Sequence, residues 1–227
     1  IGQGAIMAQR SINIAGLTVQ GWYDFSRADT LYDAVSGGSL VSAGGTIARI
    51  EDLSGNGRHL TQATAGLRPT RQTAIQNGLD VGRFSGNRLT GATAADWKFM
   101  HDGTNVIVCC ILRAGNVADP NALFVLLGTN AQSTTTVGYS LSYDDRASVP
   151  RNNVLNNIVS RGVGGQGTIG NISANDVILS NTFQPLSVLT QPTNGTASAR
   201  SSIVIDGVAI ANNTNTFGVS AANPLGA

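Results

Sequence analysis

The sequence predicts an all-β protein, an antiparallel β-sandwich of the jelly-roll type with one or two short helices. Three observations lead to this prediction. Lysine and glutamate, both strong helix formers, occur once each, at Lys98 and Glu51. Glycine occurs 28 times, and short apolar segments alternate with stretches rich in Gly, Asn and Ser. An apolar content of 41% in 227 residues suffices for one sizeable core.

The domain organisation predicted from the sequence is simple. Residues 1–16 are small and polar and are expected to form an N-terminal arm or linker, and residues 17–227 are expected to form one domain. No stretch reaches the roughly 18 consecutive apolar residues of a membrane span, and the first residues do not resemble a signal peptide. Because the chain begins with Ile1, we expect it to be processed or a fragment.

In the N-terminal part, the patterns predict two strands and one helix. The stretches LTVQGWYDF (17–25) and GTIARIEDL (45–53) read as strands. Between them, SRADTLYDAVSGG (26–38) has Ser and Asp in capping-box spacing and Gly as a stop, which predicts a short helix. Residues 61–78 are expected to be irregular, and residues 79–91 to form a strand and a turn.

The C-terminal part begins with a second short helix and then consists of strands. Thr93 and Asp96 have capping-box spacing, and Gly103 is the expected stop. The apolar runs NVIVCCILR (105–113) and ALFVLLG (122–128) predict central strands that are buried on both faces.

Four later stretches alternate as strands with one wet face do, and a hairpin follows them. The four stretches are 137–145, 153–161, 176–181 and 185–191. In SSIVIDGVAI (201–210), Asp206-Gly207 predicts a tight two-residue turn.

Charge and cysteine content exclude several classes of protein. The net charge is +1 and the arginines are scattered singly, so we expect no nucleic-acid partner. Cys109 and Cys110 are adjacent on a predicted strand, where neighbouring side chains point to opposite faces. They are therefore expected to be two buried thiols without a disulfide between them.

Six segments, in this order, resemble a known family. They are WYDFS (22–26), EDLSGNGRHLTQ (51–62), Pro69, FSGNRL (84–89), DWKFMHDGTNVIVCCIL (96–112) and IVIDGVAI (203–210). The order resembles that of the concanavalin A-like, laminin-G-like jelly-roll domains of phage virion proteins and bacterial surface proteins. Such domains continue with further strands, whereas this chain stops at Ala227. The resemblance thus implies that the final strands are missing or that a neighbouring subunit completes the sheet.

The stretch DLSGNGRH (52–59) has the D-x-S-x-N-G spacing of the first half of a calcium loop. The twelfth position is Ala63, where an EF-hand requires Glu, so an EF-hand is excluded. Asp52 and Asn56 remain weak candidates for another calcium site. The alternative is a tight turn that Asp52 caps through backbone N–H groups.

No catalytic residues are assigned, and the chain is expected not to be an enzyme. A glycosidase needs two carboxylates across the scissile bond, and the acidic motif of jelly-roll glucanases is absent from this sequence. Tyr139 and Tyr143 lie four residues apart on a predicted strand and therefore on one face. They are the weak candidates for an aromatic surface that stacks on glycans.

Together with the resemblance, these observations predict a non-enzymatic structural or adhesive module of a larger assembly. The expected setting is a phage virion, as a capsid decoration, fibre or tail protein, with other virion or surface proteins and further copies of the chain as partners. The alternative is a lectin-type carbohydrate-binding module on a bacterial or virion surface. No cofactor is expected beyond the weak calcium candidate.

Overall fold

The chain folds into two compact units of β structure. One unit comprises Ile1–Ala92 and the other Thr93–Ala227. Both contain open antiparallel sheets, so the predicted mostly β class is confirmed. A computed structural model describes residues 18–93, 95–115, 123–129, 137–144, 154–161, 169–173, 178–179, 181–192, 194–210 and 212–214. The predicted arm at residues 1–16 lies outside the described residues.

The N-terminal unit consists of five short strands around a small apolar cluster. They are β1 (Leu31–Tyr32), β2 (Arg49–Ile50), β3 (Leu60–Thr61), β4 (Thr70–Gln76) and β5 (Leu79–Arg83). Strands β1, β2 and β3 form one antiparallel sheet in that order, and β4 pairs with β5. Four buried residues form the centre of the cluster: Leu31, Val41, Ile47 and Ile50.

Two of the predictions for this unit, one strand and one helix, are wrong. Residues 18–25, the described part of the first predicted strand, join no sheet. The predicted helix at 26–38 is reduced to one 3₁₀ turn, Ala28–Thr30, and the chain then enters β1. The capping box fails because Ser26 donates its hydroxyl hydrogen to Asp24 Oδ1 at 2.6 Å, and Asp29 pairs with the neighbouring Arg27.

The hairpin β4–β5 lies partly in a stretch that was predicted to be irregular. Asn77 and Gly78 both have positive φ, 52° and 79°, as a tight two-residue hairpin turn requires. A bulge precedes the turn, where Ala74 also has positive φ and donates its N–H to Asp80 Oδ1 at 3.1 Å. The Phe25 ring packs on Gly82, where a Cβ would come within 2.5 Å of the ring.

The C-terminal unit contains nine described strands in two sheets. They are β6 (Val106–Arg113), β7 (Leu123–Gly128), β8 (Val137–Asp144), β9 (Val154–Arg161), β10 (Ile169–Ser173), β11 (Phe183–Thr190), β12 (Ser201–Ile205), β13 (Val208–Ala209) and β14 (Asn212–Thr214). One sheet has the order β14-β10-β9-β8-β7, and the other has the order β13-β12-β11-β6.

The two sheets share one hydrophobic core. Side chains from β8 and β9 meet side chains from β11 and β12 in a single buried cluster: Tyr139, Leu141, Tyr143, Leu155, Val159, Leu186, Val188, Ile203 and Ile205. One polar side chain lies within this contact, because the Asn157 amide on β9 donates to Thr190 Oγ1 at 2.9 Å and to Ser201 Oγ at 2.7 Å. Thr190 and Ser201 are cross-strand neighbours on β11 and β12.

The two most apolar strands were predicted to be central, and this prediction is wrong. Among the described strands, β6 and β7 each lie at the edge of a sheet. One face of β6 packs against the core and is buried or half-buried, whereas Ile107 and Ile111 on the other face are 48% and 71% exposed. On β7, Val125 and Leu126 are exposed. A continuous apolar run fits an edge strand as well as a central one, because periodicity does not report on neighbours.

Three other predictions for this unit have clear outcomes. The hairpin turn at Asp206-Gly207 is confirmed, with φ values of 52° and 78°. The capping role of Thr93 is also confirmed, since the Asp96 N–H donates to Thr93 Oγ1 at 3.3 Å and the Thr93 hydroxyl donates to Asp96 Oδ2 at 2.6 Å, before a 3₁₀ helix, Ala95–Met100. The described residues of the predicted strand at 176–181 join no sheet. No helix in the described ranges has the length and apolarity needed to cross a membrane.

The close packing of Phe25 on Gly82 predicts a stability effect. We expect Gly82→Ala to destabilise the N-terminal unit by about 1–3 kcal/mol, because the new methyl group would overlap the ring and force it from its place. The matched control is Gly66→Ala, where nothing lies within 4 Å of the new Cβ. Urea denaturation followed by Trp22 fluorescence, in a Trp97→Phe background, measures both, and equal midpoints for the two variants would contradict the prediction.

Candidate functional site

The 52–59 loop, predicted as a calcium site or a turn, is organised around the Asp52 carboxylate. Asp52 Oδ1 accepts hydrogen bonds from the backbone N–H groups of Trp22 and Ser54, both at 2.9 Å. Asp52 Oδ2 accepts from the Ser54 hydroxyl at 2.7 Å and from the Arg58 N–H at 3.0 Å. Each carboxylate oxygen thus has two donors, and the loop closes around a buried side chain.

The far side of the loop holds the segment that precedes Trp22. Asn56 Nδ2 donates to the Val19 carbonyl at 2.8 Å, and Arg58 Nη1 donates to the Gln20 carbonyl at 2.7 Å. Gly57 has a φ of 68°, which turns the chain between these two donors. The loop therefore holds residues 19–22 through side chains, where the sequence predicts a strand.

The electrostatics of the loop favour an ionised Asp52. Burial alone would raise the pKa of this carboxyl, but the hydrogen bonds from Trp22, Ser54 and Arg58 outweigh burial and lower it. Beside it, the Tyr23 hydroxyl donates to the Arg58 carbonyl, and the pKa of Tyr23 is raised, first by burial and then by the Asp52 charge. The carboxylate is therefore charged and the phenol neutral around pH 7.

The outcome for the predicted calcium candidates follows from these contacts. Asp52 directs both oxygens to donors of its own chain, and the Asn56 amide nitrogen donates to carbonyl oxygens. The alternative interpretation, a turn that Asp52 caps through backbone N–H groups, is confirmed. Within the described residues, no group of three or more His, Cys, Asp or Glu side chains could hold a metal ion.

The predicted aromatic surface of Tyr139 and Tyr143 is wrong. The two residues do share one face of β8, as their spacing requires, but that face is the one in the hydrophobic core. Tyr139 is fully buried and Tyr143 is 5% exposed. Burial also raises the pKa of Tyr139, so its hydroxyl is neutral. Neither ring is placed to stack on a sugar in solution.

The two adjacent cysteines occupy different environments. They point to opposite faces of β6, as predicted, and neither forms a disulfide. Cys110 packs against the core, and burial raises the pKa of its thiol to about 11. The prediction that both are buried is wrong for Cys109, which is exposed, although partial burial raises the pKa of its thiol as well.

The sequence reasoning missed the surface formed by the outer side chains of β6. Ile107, Cys109 and Ile111 all lie on the exposed face of this strand. A half-buried strand is usually recognised by alternation of apolar and polar residues, and here both faces are apolar. No signal in the sequence distinguishes the wet face from the dry one. This surface is the second candidate for function.

Comparison with models of protein families, with curated proteins and with solved structures finds no match to this chain. The likeness to laminin-G-like domains therefore remains a resemblance of short motifs in a particular order.

The hydrogen bonds of Asp52 predict a large loss of stability when its side chain is truncated. We expect Asp52→Ala to destabilise the N-terminal unit by about 2–4 kcal/mol, because it leaves donors of three separated residues without their acceptor. Asp52→Asn keeps one acceptor oxygen and should lose less. The control is Asp29→Ala, which removes an exposed ion pair and should leave the urea midpoint unchanged. A midpoint for Asp52→Ala equal to that of the control would contradict the assignment.

The lowered pKa of Asp52 also predicts a pH dependence. An unfolded Asp titrates near pH 3.9, and the folded carboxyl titrates lower, so the folded state binds fewer protons. The stabilisation is complete above the unfolded value and is lost as the pH falls through the folded pKa. Thermal midpoints measured from about pH 5 to about pH 2 should fall more steeply in the wild type than in Asp52→Asn. Parallel curves would show that Asp52 does not contribute.

Proposed function

We propose that this chain is a non-enzymatic jelly-roll module that serves as a structural or adhesive part of a larger assembly. The proposed setting is a bacteriophage particle, in which the chain is a capsid decoration, fibre or tail protein and is therefore located in the virion. Its partners on this proposal are other virion proteins and further copies of itself.

Two findings support the jelly-roll part of the proposal. The five-stranded and four-stranded sheets of the C-terminal unit share one core, which is the layering of a sandwich. The motifs that resemble laminin-G-like domains include strand β6 and the hairpin β12–β13, both of which contribute to one of these two sheets. The proposed jelly roll consists of these sheets as its two faces.

The observation that carries the assembly part is the exposed apolar edge at β6. Soluble monomers normally blunt such edges with charge, proline, a bulge or a short strand, because an open ladder pairs with other chains. Strand β6 extends over eight residues and presents Ile107, Cys109 and Ile111 to solvent. A module that is covered by a neighbour in its assembly can keep such an edge, and this is the property that we attribute to the chain.

The carbohydrate-binding alternative loses the residues that motivated it. Tyr139 and Tyr143 belong to the core, so a sugar-binding surface would need other side chains. The alternative is tested directly by a glycan array, with and without calcium. Specific glycan binding by the purified chain would replace the structural proposal with the lectin proposal.

Fractionation of particles tests the virion proposal. An antibody raised against the chain should detect it in phage particles purified on a density gradient from the culture that produces it. It should stay with the particles after a high-salt wash, because salt releases proteins that adhere only through exposed charges and does not release a part of the particle. A cytosolic host enzyme is the control for carry-over. Detection of the chain only in the soluble fractions would overturn the proposal.

A further inference from the structure

We propose that strand β6 is an interface with a second copy of this chain. The two β6 strands pair in antiparallel fashion about a two-fold axis that passes between the two Cys109 residues. This inference deepens the proposed function, on which it rests, by naming the partner. It depends on three features of β6: its regular edge, the direction of its backbone groups and the side chains it presents.

The first feature is that the eight residues of β6 carry none of the devices by which a strand protects a sheet edge. The C-terminal unit has four edges among its described strands. Two of them are short, since β13 has two residues and β14 has three. The third, β7, contains a bulge where its register shifts between Val125 and Leu127. Strand β6 pairs with β11 over eight residues without a register shift and contains no proline or lysine. Among these four described edges, β6 is the one suited to receive another strand.

The second feature is the direction of the backbone groups. The Asp206 N–H donates to the Pro185 carbonyl at 3.0 Å, so the odd-numbered residues of β11 point their backbone groups toward β12. The even-numbered residues of β11 therefore face β6, where their partners are even-numbered too, as in the pair Leu186 and Cys110. It follows that the N–H and C=O groups of Ile107, Cys109 and Ile111 point to the open edge.

The third feature is that the edge is complementary to itself. When Cys109 lies opposite the partner's Cys109, Ile107 lies opposite the partner's Ile111, and every outer residue of the central part meets an apolar one. The charged Arg113 lies at the end of the strand. In this pairing the two Arg113 residues are eight positions apart, about 27 Å along the strand, so they do not repel each other closely. A shift by two residues would bring Arg113 opposite the partner's Ile107.

The same register places the two Cys109 residues in a position that can be measured. Directly opposed residues in a hydrogen-bonded antiparallel pair have Cα atoms about 5.5 Å apart, within the range of about 4.4–6.8 Å that a disulfide spans. Both side chains lie on the same exposed face. A thiol oxidant such as diamide can therefore join them. The two thiols lose two electrons and two protons, and diamide takes up both to become the hydrazine.

Cross-linking of the full chain tests the register. The wild type treated with diamide should give a covalent dimer on a non-reducing gel, and a reductant should reverse it. Cys110→Ala should give the same dimer, because the Cys110 side chain points to the other face of β6 and packs against the core. Cys109→Ala should give none. A covalent dimer that persists in Cys109→Ala, or the absence of a dimer in the wild type, would overturn the proposal.

The oligomeric state tests the interface without chemistry on the thiols. We expect sedimentation of the reduced chain to show a dimer that dissociates on dilution. Ile111→Lys should raise the dissociation constant at least about tenfold, because it brings an ammonium group against the partner's Ile107. The control is Val208→Lys at the opposite edge of the same sheet, where Val208 is 63% exposed. A monomer at all concentrations, or equal weakening by both variants, would contradict the proposal.

Hydrogen exchange separates a second copy from any other cover of this edge. The amides of Ile107, Cys109 and Ile111 should be protected in the dimer and exchange quickly after dilution to the monomer. Protection that persists in the monomer would show that another part of the protein covers β6 and would overturn the proposal. These measurements use the purified chain and are independent of the particle fractionation. A monomeric chain would contradict the dimer alone, and absence from the particles would contradict the virion setting alone.

Discussion

The N-terminal unit depends on the Asp52 carboxylate, which gathers donors from Trp22, Ser54 and Arg58. Its three-stranded sheet has strands of only two residues, so the ladder supplies few hydrogen bonds and buries little surface. Side chains that bind backbone groups replace the ladder. Arg68 contributes in the same way, because its guanidinium donates to carbonyl groups of three different residues. The scattered arginines of the sequence thus include structural ties between loops.

The C-terminal unit is held together mainly by regular strand pairing and apolar packing. Its strands are long enough to form regular ladders, and one apolar cluster joins two sheets without direction or specificity. The stability of such a unit resides in its interior, which leaves the outer face of an edge strand free to serve a partner. In the first unit, polar side chains bind backbone groups of the loops. In the second unit, one face of an apolar strand is exposed to solvent.

The structure shows which features are local enough to predict. Asp206-Gly207 and the pair Thr93 and Asp96 were predicted correctly, since a tight turn or a cap depends on a few adjacent residues. Asn77-Gly78 carries the same turn signal, although it lies in a stretch whose composition predicts irregular structure. Which face of a strand is exposed to solvent depends on distant parts of the chain and not on adjacent residues. On β8, Ser140 and Ser142 point to the face opposite that of Tyr139, and they are buried as well. Alternation alone therefore could not show which face holds the tyrosine ring.

The Asn157 amide between the sheets has a consequence for how the unit finds its native alignment. Apolar contacts tolerate sliding of one sheet over the other, whereas the amide reaches Thr190 and Ser201 in only one position. An offset that separates them leaves the buried Asn157 N–H groups without these two acceptors, at a cost of about 1–3 kcal/mol. Asn157 therefore favours one alignment of the two sheets. With apolar contacts alone, alternative alignments would be nearly equal in energy.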